Sequence, residues 1–159
     1  MAIDRRGAGL TVLRICIGLF FLFEGVAKIR WLTSPGLLAS QLNGWLSALP
    51  PESWSARYLA KAALPYEPYF ARLVPLGELV SGAAMVLGIW TPLFAFVAFF
   101  MAVNFEFASG VLFTYAWLTN PYGLPVLGAT LALALGGTKL PLSMRRGAHA
   151  HAAKTARSS

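Results

Sequence analysis

Four stretches of this chain, residues 10–29, 73–90, 92–109 and 121–140, are apolar almost throughout. Each is close to the ~17 to 25 residues that carry an α-helix across the hydrocarbon core of a bilayer. Lipid offers no water to hydrogen-bond the main chain, so a spanning segment must satisfy its own N–H and C=O groups, as a helix does. The expected fold is an all-α integral membrane protein: a four-transmembrane-helix bundle, residues 1–140, whose long first extracytoplasmic loop, residues 30–72, carries short amphipathic helices. Composition agrees, because 57% hydrophobic and 12% charged residues lie outside the range of soluble domains.

Arg5 and Arg6 precede the first segment as they would a secretory signal. The apolar run is too long for one and no small-x-small cleavage site follows "AKIRW", so the segment is expected to stay attached as a helix. The formal net charge of +7 would suit nucleic acid only if the basic residues formed a stripe on a soluble domain; here they flank apolar segments, so the bilayer is the partner and nucleic acid is not. The termini hold seven Lys or Arg (Arg5, Arg6, Lys139, Arg145, Arg146, Lys154, Arg157), the first loop four (Arg30, Arg57, Lys61, Arg72) and the other loops none. The positive-inside rule then places both termini in the cytoplasm. Residues 141–159 read as a basic, disordered cytoplasmic tail lying near anionic headgroups. His149 and His151 make at most half a metal site, and the single Cys16 can form no intramolecular disulfide. No metal and no covalently bound cofactor is expected.

The first loop is too long for a simple turn. "LLASQLNGWLSAL" spaces Leu38, Leu42, Trp45, Leu46 and Leu49 as a helix does, and "SWSARYLAKAAL" does the same with Trp54, Tyr58 and Leu59. Two short helices on the outer membrane surface and an ordinary structured loop both fit this pattern. The third loop, "GVLFTYAWLTNPYG", is aromatic and uncharged. Tyr115, Trp117 and Tyr122 suit an interfacial belt in preference to a flap over a ligand, and "NPYG" is turn chemistry.

Charges inside the apolar segments carry the functional signal. With four antiparallel helices, the end of the first, the start of the second, the end of the third and the start of the fourth share one membrane face. Glu24, Glu78 and Glu106 each lie a few residues from such an end, which at a ~1.5 Å rise per residue puts all three in one layer roughly 5 to 8 Å deep. Lys28 and Arg72 border that layer. Along the first helix Arg14, Gly18, Phe21, Gly25 and Lys28 form a stripe, with Glu24 beside it in the favourable order for an i,i+4 pair with Lys28. In the second, Gly77, Ser81, Ala84 and Gly88 form a seam of small residues expected to receive another helix, the first, through Gly18 and Gly25. In the third, Asn104 faces away from Glu106, so the two should not share a pocket. Arg14 has no acidic partner at its depth, which leaves lipid phosphate or a helix terminus as its contact.

Charged side chains in a bilayer are costly and are paired, protonated or functional. Two readings of the layer follow. It is a structural staple, Glu24 with Lys28 and Glu78 with Arg72, or it is a polar pocket that handles protons or a ligand headgroup.

"LRICIGLFFLFEGVAKI" resembles the opening helix of the DoxX family in its Arg, Gly, aromatic, Gly and Lys spacing, and "PLGELVSGAAMVLGIWTP" resembles that family's second-helix Gly-Glu motif. The matching positions are Arg14, Gly25, Lys28, Gly77 and Glu78; many relatives carry His or another polar residue in place of Glu24. The long first loop is more like the DoxD branch, the small subunit of thiosulfate:quinone oxidoreductase. The resemblance implies a four-helix bacterial inner-membrane protein linked to sulfur or quinone redox systems. Paired cysteines, an in-membrane histidine pair and a Gly-rich nucleotide loop are all missing from the sequence, so haem, thiol exchange and flavin have no visible site. A quinone is the expected ligand, with a protein partner or a second copy of the chain. Three functions stay open: a membrane subunit of an oxidoreductase, a scaffold for soluble redox or stress proteins, and a carrier for a small solute, ranked last because carriers place their sites near mid-membrane.

Overall fold

A computed structural model of the chain describes residues 5–34, 36–138 and 140–143, and all the regular structure among them is helical. Helix α1 is Arg5–Ala27, followed by a 3₁₀ turn, Ile29–Leu32. Helix α2, Gly36–Ala48, and helix α3, Trp54–Tyr58, come next, and α3 runs on through a π-helical turn, Leu59–Ala63. Helices α4, Glu67–Leu87, and α5, Thr91–Ala108, are joined by a tight turn. Helix α6, Tyr115–Thr119, is a single short piece, and α7 is Leu124–Gly136.

Local chemistry explains the ends. The Ser53 hydroxyl accepts from the Ala56 N–H at 3.1 Å and so caps α3. Proline stands in the first turn of α4, α5 and α7, where its missing N–H costs nothing. Gly88, at φ +70°, ends α4 in the left-handed region that a side chain resists.

Two boundaries depart from the sequence reading. Helix α4 begins at Glu67, six residues before the expected start at residue 73, because the "PYEPYF" segment opens the helix with Pro68. The last apolar stretch is helical only over the 13 residues of α7, about 20 Å at ~1.5 Å per residue. Its first residues are taken by the Asn120 turn, in which the Asn120 side-chain oxygen accepts from the Tyr122 N–H at 3.0 Å. Gly137 follows its end. Among the described residues, the helices long and apolar enough to cross a membrane are therefore three, α1, α4 and α5, with α7 a shorter apolar helix beside them.

Helix α1 packs along α4, α4 against α5, and α5 against α7. The α1–α4 contact is a backbone approach: a Cβ on Gly82 would meet the Leu22 nitrogen at 2.5 Å and the Gly18 carbonyl oxygen at 2.7 Å. Gly18 and Gly25 face Val86 and Leu79 of α4 in the same way. The expected seam is corrected here. Gly77 faces Met101 of α5, and the α4 glycine at the α1 main chain is Gly82, one position from Ser81 and hence rotated by ~100° about the helix, while Gly88 at the end of α4 meets the Arg14 side chain of α1. Ser81, Ala84 and Gly88 are buried.

Two apolar clusters form. One fills the bundle, with Ile17, Phe21, Met85, Ala98, Ala102 and Leu127 among its members. The other is a cap built on the protruding start of α4, where Trp31, Leu38, Leu42, Leu59 and Ala63 of the first loop pack with Ala71 and Ala108. The short helices of that loop thus bury their apolar faces against the protein itself. At the opposite end, residues 140–143 fold back onto the bundle. Buried Arg14 donates through Nη2 to Leu142 O at 3.0 Å, and Ser143 Oγ donates to Gly88 O. Of the expected tail, residues 141–159, only residues 141–143 are described; residues 144–159, with His149 and His151, lie outside the described residues, as does Lys139.

Candidate functional site

A polar layer lies between the two apolar clusters, and the order along each helix shows why. Along α1 and the 3₁₀ turn that follows it, Phe21 belongs to the bundle and Trp31 to the cap, with Glu24 and Lys28 between them. On α4, Ala71 belongs to the cap and Met85 to the bundle, with Glu78 between. On α5, Ala102 and Ala108 flank Glu106. Neither core can hold these groups, so they meet at its seam.

Lys28 organises one wall. Its ammonium donates to Glu24 Oε2 at 2.6 Å and to Glu78 Oε1 and Oε2 at 2.9 and 3.1 Å. It also lies 5.6 Å from the ring centroid of Phe105, within cation–π range. The Glu78 side chain is 4% exposed and that of Glu24 32%, so the pair to Glu78 is the buried one. Arg72 is exposed and forms no ion pair with Glu78; the partner across the helices is Lys28.

Glu106 forms the opposing wall. Asn120 Nδ2 donates to its Oε1 at 3.3 Å, while its buried Oε2 has no hydrogen-bond partner. Between the walls is a cavity of about 370 Å³ whose lining includes Glu24, Lys28, Glu78 and Glu106 together with Phe20, Phe21, Phe105 and Val126. Gln41 and Trp45 of α2 line it from the first loop, and Ser109, Val111, Asn120 and Tyr122 line it from the end of α5 and the connection to α7. The Tyr122 ring packs 5.6 Å from Phe20. Three carboxylates and one ammonium thus face an aromatic hollow. That arrangement has the form of a small-molecule site, since such sites are usually concave apolar pockets with a few convergent polar groups.

Asn104 lies on the other side of α5. Its side-chain oxygen accepts from the Tyr58 hydroxyl at 2.7 Å, and it lines a separate groove between α4 and α5. Burial raises the pKa of the Tyr58 phenol. Among the described residues no group of three or more His, Cys, Asp or Glu side chains is placed to hold a metal ion.

The sequence reading assembled Glu24, Lys28, Glu78 and Glu106 but not Gln41, Trp45, Phe105, Asn120 or Tyr122. Asn120 carried a signal, since an amide beside a proline turn at the depth of an acid is a potential partner; it was read only as turn chemistry. Tyr122, assigned to an interfacial belt, lines the cavity, while Tyr115 in the same loop is 80% exposed.

Comparisons with curated proteins and with solved structures find no match to this chain. The sequence profile of the DoxX family matches residues 9–110, which take in the whole charged layer and stop short of Asn120, Tyr122 and α7. With well over half its length covered by that match, the chain belongs to the DoxX family of membrane proteins.

Proposed function

We propose that this protein is the membrane subunit of a quinone- or sulfur-linked redox system, similar to the DoxD-like small subunit of thiosulfate:quinone oxidoreductase, and that its polar cavity takes a quinone headgroup. The observation that carries this reading is the unpartnered Glu106 Oε2 facing the Glu24–Lys28–Glu78 cluster across an aromatic hollow. A quinone becomes a quinol by gaining two electrons and two protons. Lys28 and Asn120 offer N–H donors to its oxygens, the carboxylates are sites for the protons, and a protein partner delivers the electrons. In this reading α7 is a short fourth crossing, both termini are cytoplasmic, the cavity lies beneath the outer face of a bacterial inner membrane, and the chain works with a partner protein or a second copy of itself.

A scaffold for soluble redox or stress proteins draws on a different observation. Trp54, Tyr66 and Tyr69, at the cap end, are 77%, 58% and 65% exposed, an aromatic surface at the same end as the cavity.

Purification in mild detergent, with mass spectrometry of copurifying quinones and proteins, separates the two readings. Quinone retained by the wild type and lost from Glu106→Gln supports the first; a stoichiometric protein partner with no quinone supports the second. Glu78→Gln is expected to insert and fold yet fail to complement a deletion strain under redox stress, with Glu24→Gln milder. Full complementation by the Glu24→Gln, Glu78→Gln, Glu106→Gln triple variant would reduce the charged layer to a structural staple.

A further inference from the structure

Phe105 lines the polar cavity and also lines the groove between α4 and α5, and it is the residue the two linings have in common. That groove, about 430 Å³, is walled by Phe70, Leu73, Val97, Phe100 and Met101. Leu73, Val97 and Phe100 are exposed apolar residues on helices long enough to cross a membrane, so the groove opens toward lipid. Its polar member, Asn104, has its side-chain oxygen engaged by Tyr58, which leaves the groove a hydrocarbon surface over most of its length. On the cavity side, the Phe105 ring meets the Lys28 ammonium and, at 6.4 Å and nearly perpendicular, the Trp45 ring. One aromatic ring thus separates a polar chamber from an apolar trough.

We propose that the α4–α5 groove holds the isoprenoid tail of the quinone whose headgroup enters the polar cavity, with Phe105 as the wall between head and tail. The inference rests on the quinone reading above. Charge argues for this occupant over a phospholipid: three carboxylates facing one ammonium, itself already paired twice, repel a phosphodiester, whereas an uncharged headgroup meets no such barrier. A headgroup buried in the cavity must also send its apolar tail somewhere, and the groove beyond Phe105 is apolar and reaches lipid.

The test uses the full chain in lipid nanodiscs and two ligands, a long-tailed ubiquinone analogue and the same headgroup without a tail. In Val97→Trp, which fills the groove, affinity for the long-tailed compound is expected to fall at least tenfold while affinity for the tail-less one is unchanged. Independently of any variant, a photoreactive group on the tail should label the wild type within the groove's two walls, residues 70–74 or 96–105, as read by peptide mass spectrometry. An unchanged long-tail affinity, an equal loss for both compounds, or tail labelling elsewhere overturns the inference while the headgroup reading stands. Failure of both compounds to bind the wild type overturns the quinone reading itself, and the inference with it.

Discussion

Lys28 and Glu78 are separated by fifty residues in the chain, yet the Lys28 ammonium lies 2.9 Å from Glu78 Oε1. The contact ties the end of α1 to the middle of α4 at the seam between the bundle and its cap. Removing the cation would leave the buried Glu78 without a donor, and stranding one member of a buried pair typically costs ~3 to 5 kcal/mol. Lys28→Met is therefore expected to lower the thermal midpoint in detergent strongly, and Lys28→Met with Glu78→Gln to recover most of it. A double variant as unstable as the sum of its singles would show that the two side chains do not act as a pair.

Glycine at position 82 admits α1 to backbone contact. Gly82→Ala places a methyl group against the main chain of Leu22 and Gly18, which cannot yield as a side chain can. The expected loss is ~1 to 3 kcal/mol, the usual range for overpacking. Gly77→Ala meets the flexible end of Met101 at 3.1 Å, so it should be neutral or slightly stabilising. Thermal melts of the two variants side by side check the contrast, and equal effects would contradict the assigned packing.

Tyr58 lies outside the long apolar helices and reaches Asn104 through its hydroxyl. Tyr58→Phe and Asn104→Ala should each cost about 0.5 to 1.5 kcal/mol, with strong coupling between them in a double-mutant cycle. Burial raises the Tyr58 pKa in the folded state, so above the ordinary tyrosine value the folded protein binds the proton more tightly than the unfolded one. Stability from this group is complete below pH ~10 and declines as pH rises from there through the folded-state pKa. Melts from pH 9 to 11, about the ordinary tyrosine value, should fall less steeply for Tyr58→Phe than for the wild type.

Topology follows from the distribution of basic residues. Reporter fusions at Arg57 and Arg146 are expected on opposite sides of the membrane, Arg57 outside. Signals from the same side would remove α7 as a crossing and with it the four-span arrangement.

Much of the charged layer was legible in the sequence, because Glu24 and Lys28 share a helical turn and acids in apolar segments stand out. The depth of Glu78 along its helix was not. Glu78 lies eleven residues into α4, well beyond the five reckoned from the apolar pattern. It still meets Lys28 because α4 projects past the end of α1 into the cap, a projection hidden by the polar and aromatic residues of its first turns.

By itself the sequence determined the membrane character of the chain, its helical class and which charged residues lie within its apolar segments, since each follows from the solvation of apolar and charged groups along a local segment. Only the tertiary structure decided that Lys28 and not Arg72 neutralises Glu78, that Gly82 and not Gly77 meets α1, that Asn120 reaches Glu106, and that Phe105 stands between two hollows. These depend on how each helix is rotated about its axis and how far it slides along its neighbour. Both are settled by long-range packing, and a periodicity that repeats every turn is satisfied by several such arrangements.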